Sequence, residues 1–245
     1  MNMLFETQKN KTDIEIVSEQ WNVKYGDIWK IGDHKIMCGD NGIPNQVKEL
    51  VSGLKFDLVI TSPPYYDQRN YLKKIDNWTE LMQQCFWNIN YNISDNGNIF
   101  VVLGLSHKDG RVFQYWDQWI KSMEEMGWPL FGWYIWDKGS GTPATWKERL
   151  NSSHEFIFHF CKNPKEPNRW IPIIPNGTIH GTKRSQDGKL TKRETKPLPH
   201  QFRAPDSVIR TGRENRRGIH SLHPAIYPPE LPEILIKTWM EKDSI

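Results

Sequence analysis

The chain has 245 residues, a mass of 28.9 kDa and a formal net charge of +3. Hydrophobic residues make up only 37% of it, and no apolar run approaches the roughly 20 residues of a membrane-spanning helix, which excludes a membrane protein. The three scattered cysteines, Cys38, Cys85 and Cys161, suit neither a disulfide framework nor a zinc site, and we expect no bound metal. The first ten residues lack the pattern of a signal peptide, so we expect a cytoplasmic protein.

The first 40 residues predict an arm and then a hairpin. Residues 1–20 show no clear periodicity, and we expect them to form a loose arm. Short apolar stretches between Gly-Asp pairs follow, and they predict a hairpin whose second strand ends at Gly39-Asp40. Pro44 then suits the first turn of a helix with one apolar face, formed by Val47, Leu50, Val51 and Leu54.

Strand and helix patterns alternate from residue 56 to residue 161. Strands are predicted at 56–60, at 98–104 after an Asn96-Gly97 turn, at 130–136 and at 154–161. Asn77 and Glu80 predict a capping box, and a helix follows with the buried stripe Trp78, Leu81, Met82, Cys85, Phe86 and Ile89. A second helix is predicted from Val112 to Met123, with Gly127 as its stop. The alternation indicates an α/β domain with a largely parallel sheet.

The pattern changes at residue 163. Residues 163–220 are rich in Pro, Gly, Thr, Lys and Arg and have little periodicity, which predicts an inserted, loop-rich region. Between residues 183 and 217 there are eleven Lys and Arg against four Asp and Glu, a charge pattern suited to nucleic acid or, alternatively, to a solvated surface loop. A last helix is predicted after Pro228-Pro229. The predicted organisation is an arm at 1–20, an α/β domain at 21–162, an insertion at 163–220, and a helix at 221–245 that returns to the α/β domain.

The segment Thr61-Ser62-Pro63-Pro64-Tyr65 carries the chemistry, because open α/β sheets bind ligands at the carboxyl ends of their strands. The exocyclic amine of cytosine or adenine is a poor nucleophile, since its lone pair is delocalised into the ring. The Ser62 hydroxyl and the Pro63 carbonyl would each accept one amine hydrogen and free that lone pair. The Pro63-Pro64 pair would fix the backbone, and Tyr65 would offer a flat face to a base swung out of its duplex. The predicted catalytic residues are therefore Ser62, Pro63, Pro64 and Tyr65.

This segment resembles the signature of the DNA amino-methyltransferases, and its Thr-Ser form is similar to that of the N4-cytosine enzymes rather than the N6-adenine enzymes. The resemblance implies a Rossmann-like class I methyltransferase sheet, S-adenosyl-L-methionine as cofactor, and a site-specific enzyme of bacterial or phage restriction-modification. The motif order resembles the circularly permuted beta class, in which residues 163–220 occupy the place of the target-recognition region. By the resemblance, Asp40 contacts the adenosyl part of the cofactor, although it could instead cap a helix. His223 and Pro224 resemble the segment that leads into the cofactor loop.

The resemblance also implies double-stranded DNA as the partner. Phosphate and base contacts are expected from arginines and lysines near the motif and in the insertion: Arg69, Lys183, Arg184, Arg213, Arg216 and Arg217. The tryptophans are expected mainly in the core, although Trp133 and Trp136 could line the base pocket.

One departure from the family pattern affects the expected activity. The family's final helix leads into a strand and a glycine-rich cofactor loop, and in this sequence no Gly-x-Gly segment follows the last predicted helix. The one such segment, Gly139-Ser140-Gly141, comes earlier in the chain, where the family has a different loop. We therefore expect a fold without the glycine-loop strands, with Ile234, Leu235 and Trp239 partly exposed. The isolated chain would then bind the cofactor weakly or not at all and methylate nothing, and a second subunit or self-association would supply the missing strands. The alternative functions are a catalytically inactive DNA-binding half and, with less support, a methyltransferase of RNA or protein amines.

Overall fold

The computed structural model describes residues 21–66, 77–142, 149–173, 182–192, 201–212 and 226–241. The predicted arm at 1–20 lies outside this part of the chain. So do six predicted site residues, namely Arg69, Arg213, Arg216, Arg217, His223 and Pro224. Among the described residues, no helix has both the length and the apolar character needed to cross a membrane.

A five-stranded sheet lies at the centre of the fold. Its strands are β3 (Phe56–Thr61), β4 (Ile93–Leu103), β7 (Leu130–Thr142), β8 (Ser152–Cys161) and β13 (Val208–Arg210). They are arranged in the order β13-β7-β8-β4-β3. The β3–β4 and β7–β13 pairs are parallel, whereas β8 is antiparallel to both β4 and β7. Four strands therefore run in one direction, which confirms the predicted largely parallel sheet, and β8 is the exception.

Four short antiparallel pairs surround this sheet in the described part of the chain. They are β1 (Ile28–Ile31) with β2 (His34–Met37), β5 (Ser106–Lys108) with β6 (Arg111–Phe113), β9 (Ile171–Pro172) with β12 (Phe202–Arg203), and β10 (Thr182–Arg184) with β11 (Leu190–Lys192). The first pair confirms the predicted hairpin.

Helices cover both faces of the sheet. Among the described residues these are α2 (Trp78–Asn92), α3 (Asp117–Glu125) and α4 (Glu230–Trp239), whereas α1 (Pro44–Val51) contacts α2 and β2 and buries no side chain. Because side chains alternate along a strand, β4 directs Ile99, Val101 and Leu103 toward one core and Phe100 and Val102 toward the other. The first core includes the buried side chains of α2 and α3: Trp78, Met82, Phe86, Trp119 and Met123. The second includes Leu231 and Leu235 of α4.

The ends of α2 and α3 follow their local signals. The Glu80 amide donates to the Asn77 side chain at 3.2 Å, which confirms the predicted N-cap of α2. After the last turn of α3, Gly127 has φ +84°, and its N–H donates to the Glu124 carbonyl, which confirms the predicted stop of this helix.

Three predicted elements differ from the structure. The helix predicted from Val112 begins only at Asp117, because Asp109 and Gly110 both have positive φ and form the tight turn of the β5–β6 hairpin. Strand β4 begins at Ile93, before the predicted Asn96-Gly97 turn. That signal marks instead an irregularity in the β3–β4 ladder, where Phe56 pairs with Ile93 and Leu58 pairs with Asn98.

The third difference concerns α4. The sequence predicts that Leu235 is partly exposed, but it is 3% exposed and packs in the second core, which the sheet and α4 share. The prediction is wrong because it assumed that α4 lacked strands to pack on, whereas β4, β8 and β13 all contribute to this core through Phe100, Ile157 and Ile209. Ile234 and Trp239 are half-buried, as predicted. Strand β13 lies within the predicted insertion, yet it forms one edge of the central sheet.

Candidate active site

The predicted catalytic segment lies at the carboxyl edge of the sheet. Strand β3 ends at Thr61, and Ser62, Pro63 and Pro64 follow it as half-buried residues without regular structure. The carboxyl end of β4 and the first residues of the antiparallel β8 lie at the same edge, because β3 pairs with β4 and β4 pairs with β8. The segment therefore occupies the position at which α/β sheets bind ligands.

Tyr65 connects this segment to strands β8 and β7 through the buried carboxylate of Glu155. Its hydroxyl donates to Glu155 Oε2 on β8 at 2.5 Å and lies 3.3 Å from Ser62 Oγ. The other Glu155 oxygen accepts a hydrogen bond from Lys138 Nζ on β7 at 2.8 Å. Four side chains from three strands or their ends thus form one continuous chain of polar contacts.

The environment of Tyr65 keeps its hydroxyl protonated. Burial raises the pKa of this hydroxyl well above its ordinary value, and the negative charge of Glu155 raises it further. The Tyr65 side chain is 6% exposed, so the ring packs inside the protein in this structure. Its neighbour Tyr66 is 38% exposed, with its ring centroid 4.9 Å from that of Phe113. Stacking of a base on Tyr65 stays a prediction.

A tryptophan fixes the backbone of the predicted catalytic segment. The indole N–H of Trp78, the first residue of α2, donates to the Pro64 carbonyl at 2.6 Å. Trp78 is 2% exposed and packs edge-on against Tyr115 at 4.7 Å between ring centroids. Since the Pro64 carbonyl is used in this contact, the Pro63 carbonyl is the better candidate for binding a substrate.

A cavity of about 480 Å³ lies beside this segment. Its aromatic lining comes from Tyr66, Trp78, Phe113 and Tyr115, and its polar lining includes Asn77, Gln114 and Gln118. Flat rings together with amide groups suit a planar, polar ligand such as a nucleobase.

Asp40 lies at the turn between β2 and α1. Its carboxylate accepts the Gly42 N–H at 2.8 Å, and its own N–H donates to Gln46 Oε1 at 2.6 Å. This part of the chain packs against the middle of α2, where the Cys85 thiol contacts Asn41 Oδ1 at 2.7 Å. Asp40 therefore orders the turn before α1 but does not cap the helix, because the N-cap residue is Ile43 and no side chain caps this end, so the helix-capping alternative is wrong. The exposed carboxylate of Asp40 retains further acceptor sites, and its contact with the cofactor stays a prediction.

Two of the predicted basic residues lie on the described β10–β11 hairpin. Lys183 and Arg184 are exposed neighbours on β10, so their side chains point to opposite faces of the hairpin. The structure therefore does not place them on one surface. The two predicted aromatic residues of β7 also separate: Trp136 is buried in the core beside α4, whereas Trp133 is 48% exposed and contacts Phe156 and Phe158 on the other face.

Glu155 and Lys138 are not among the predicted site residues. The sequence signal for Glu155 is an acidic residue directly before the aromatic stretch Phe156-Ile157-Phe158-His159-Phe160 of β8. His159 lies near the other end of the same strand, fully buried between Asn98 at 2.9 Å and Tyr134 at 3.1 Å. Burial lowers the pKa of His159 to about 3, so this ring is neutral and structural. No cluster of three metal-ligating side chains occurs among the described residues.

Comparison with known proteins gives one family and several relatives. The family model N6_N4_Mtase, described as DNA methylase, matches residues 56–245. The orphan methyltransferase M.BamHII of Bacillus amyloliquefaciens is 28% identical over 215 residues, which cover 81% of this chain and 77% of the relative. The type II methyltransferase M.SmaI of Serratia marcescens is 28% identical over 179 residues, which cover 57% of this chain and 59% of the relative.

A solved structure has a similar fold. The cytosine-N4-specific PvuII DNA methyltransferase superposes with a TM-score of 0.53 at 18% identity. The superposition covers 80% of this chain and 68% of that protein.

Proposed function

The chain belongs to the N6_N4_Mtase family of DNA methylases, and from this premise we propose that it methylates cytosine N4, in preference to adenine N6, within a specific DNA sequence. Its family and relatives indicate an S-adenosylmethionine-dependent DNA methyltransferase of the N4-cytosine or N6-adenine type. Its fold is the α/β fold of class I methyltransferases, as predicted from the sequence. The circularly permuted motif order stays a prediction.

The proposal depends mainly on the position of Ser62 and Pro63 at the carboxyl edge of β3. The two residues bring a hydroxyl oxygen and a carbonyl oxygen next to each other on a short segment. Trp78 and Glu155 anchor the next two residues, Pro64 and Tyr65. Two oxygen acceptors at a fixed separation suit the two hydrogens of an exocyclic amine. Holding those hydrogens makes the nitrogen lone pair available to the methyl group.

S-adenosylmethionine supplies an electrophilic methyl group when it is bound. Among the described candidates, Asp40 fits one contact to the cofactor, because an exposed carboxylate accepts hydrogen bonds from hydroxyl or amine groups of an adenosine. His223 and Pro224 are proposed for the methionine end and lie outside the described residues.

We propose that the substrate is double-stranded DNA with the target base swung out of the helix. A buried amine inside a duplex cannot reach Ser62, so the base must leave its stack before the reaction. The exposed Lys183 and Arg184, together with Arg69, Arg213, Arg216 and Arg217, are proposed to contact the phosphates.

The active species is proposed to be an assembly with a second subunit or a second copy of the chain. Strand β3 forms an edge of the described sheet, and all six of its residues are half-buried. In β4, by contrast, the seven residues from Gly97 to Leu103 are buried. A further strand beside β3 would complete the burial of the strand that leads into the catalytic segment.

The product identifies the function. Duplex DNA from a host without its own DNA methyltransferases is incubated with the protein and S-adenosylmethionine carrying a deuterated methyl group, and the DNA is then digested to nucleosides. We expect deuterated N4-methylcytosine in the mass spectrum and a large loss of it with Ser62→Ala. N6-methyladenine as the sole product would contradict the cytosine preference. DNA binding without any methylated nucleoside, when the assembled species is assayed, would support the alternative of an inactive DNA-binding half.

A further inference from the structure

We propose that Glu155, paired with Lys138, is a positioning residue that sets the direction of the Tyr65–Ser62 hydrogen bond, so that Ser62 presents only acceptor sites to the amine. This inference rests on the proposed function of Ser62. Neither Glu155 nor Lys138 is among the predicted site residues.

The contacts form a single path from β7 to the catalytic segment. Lys138 Nζ lies 2.8 Å from Glu155 Oε1, Glu155 Oε2 lies 2.5 Å from the Tyr65 hydroxyl, and that hydroxyl lies 3.3 Å from Ser62 Oγ. The whole Glu155 residue is 8% exposed and its side chain is 10% exposed, while the Lys138 side chain is 13% exposed. Bulk water therefore competes little with these contacts.

The direction of each hydrogen bond follows from the number of hydrogens on each group. Lys138 only donates, and an ionised carboxylate only accepts. The single hydroxyl hydrogen of Tyr65 is consequently directed to Glu155. The Tyr65 oxygen then accepts the hydrogen of Ser62, which leaves the lone pairs of Ser62 for other hydrogen-bond donors.

Removal of the carboxylate makes the opposite direction available. Tyr65 would then be free to donate to Ser62, and the serine hydrogen would rotate toward the substrate. An O–H that faces an N–H repels it and occupies the place of the acceptor. The charge of Glu155 thus determines whether Ser62 attracts or repels the amine hydrogens.

Lys138 compensates the charge of the buried carboxylate. An unpaired carboxylate in this position is costly, and the Lys138 ammonium at 2.8 Å supplies the opposite charge. The raised pKa of Tyr65 is consistent with this arrangement, since the phenol keeps the hydrogen that it donates.

The first test is a double-mutant cycle on methylation rate in the active protein. We expect Tyr65→Phe and Glu155→Gln each to lower kcat on the order of tenfold, with little change in the KM for DNA. In a Ser62→Ala background, the same two changes should lower kcat by less than about threefold, because they act through Ser62. Lys138→Arg should retain most of the activity that Lys138→Met loses.

The control for local damage is His154→Gln. His154 precedes Glu155 on β8, so its side chain points to the opposite face of the strand, and we expect kcat to change by less than about threefold. Equal losses from Glu155→Gln in both Ser62 backgrounds would overturn the inference and leave the role of Ser62 intact. An unchanged rate for Ser62→Ala would instead contradict the proposed function itself.

The second test needs only folded protein and no turnover. The tyrosine doublet in the ultraviolet resonance Raman spectrum separates hydroxyls that donate strongly from those that accept, and the difference between wild type and Tyr65→Phe isolates Tyr65. We expect a strong donor in wild type and a weaker donor in Glu155→Gln, because the hydroxyl of Ser62 replaces the carboxylate as the acceptor. A donor signature that is unchanged in Glu155→Gln would overturn the inference. If Glu155→Gln does not fold, Glu155→Leu gives the same comparison, because it also removes the carboxylate.

Discussion

The sheet carries two groups of hydrogen-bonded polar side chains, one at the carboxyl ends of its parallel strands and one nearer their amino ends. Ser62, Tyr65, Glu155 and Lys138 lie at the carboxyl edge, whereas His159 joins Asn98 and Tyr134 closer to the other edge. Only the first group includes a residue, Ser62, for which we propose a role in the reaction. The second satisfies its own donors and acceptors inside the core, and for that reason we assign it to stability.

At the scale of the single residue, His159 predicts a pH dependence of stability. Its folded pKa of about 3 lies below the ordinary value of 6.5, so the folded state binds fewer protons than the unfolded state. The stabilisation is complete above pH 6.5 and is lost as the pH falls toward 3. We expect the free energy of unfolding to decrease by about 2 kcal/mol from this residue between pH 7 and pH 5. Denaturant titrations at the two pH values measure this change.

The matched variant for this measurement is His159→Gln. The glutamine amide supplies one donor for Asn98 and one acceptor for Tyr134, but it does not titrate. The variant should be less stable at pH 7 and should show a smaller decrease toward pH 5. A decrease as large as that of wild type would assign the pH dependence to other groups.

At the scale of the element, the β10–β11 hairpin is the described part of the proposed DNA contact. Lys183→Ala together with Arg184→Ala removes two exposed charges from opposite faces of this hairpin. If one of them contacts a phosphate, the slope of log affinity against log salt should become shallower by about 0.9, and by about 1.8 if both do. Fluorescence anisotropy with a labelled duplex at several salt concentrations measures the slope.

The control for the hairpin is Lys121→Ala, which removes an exposed charge from α3 and should leave the slope unchanged. An unchanged slope in the hairpin variant as well would mean that the hairpin is a solvated loop. The triple variant of Arg213, Arg216 and Arg217 then tests the rest of the basic stretch in the same assay. Its slope should become shallower by about 0.9 for each phosphate contact that is lost.

At the scale of the whole molecule, the edge of the sheet at β3 predicts association. We expect the purified chain to elute as a dimer or larger species, with monomer present only at low concentration, because a sheet edge beside half-buried side chains pairs readily. Size-exclusion chromatography with light scattering gives the mass, and methylation assays on the fractions locate the activity. A monomer of 28.9 kDa that methylates DNA without any other subunit would contradict this expectation.

The sequence by itself determined the features that depend on near neighbours. The Asn77 cap, the Gly127 stop, the apolar stripe of α2 and the end of β3 before Pro63-Pro64 each involve contacts or conformations within a few residues. Their signals are therefore complete in the local sequence. The start of α3 was missed because the tight turn at Asp109-Gly110 overrides an apolar spacing that also suits a helix.

Only the tertiary structure decided which distant side chains meet. Tyr65 and Glu155 are 90 residues apart, and their contact exists because β8 is inserted antiparallel between β4 and β7. The same strand order buries Leu235 against Phe100 and Ile157, which the local pattern of α4 could not indicate. A sequence pattern identifies the side chains that lie on each face of one strand. The order and direction of the strands determine which of those side chains lie within hydrogen-bonding distance, and here they place the Glu155 carboxylate next to Tyr65.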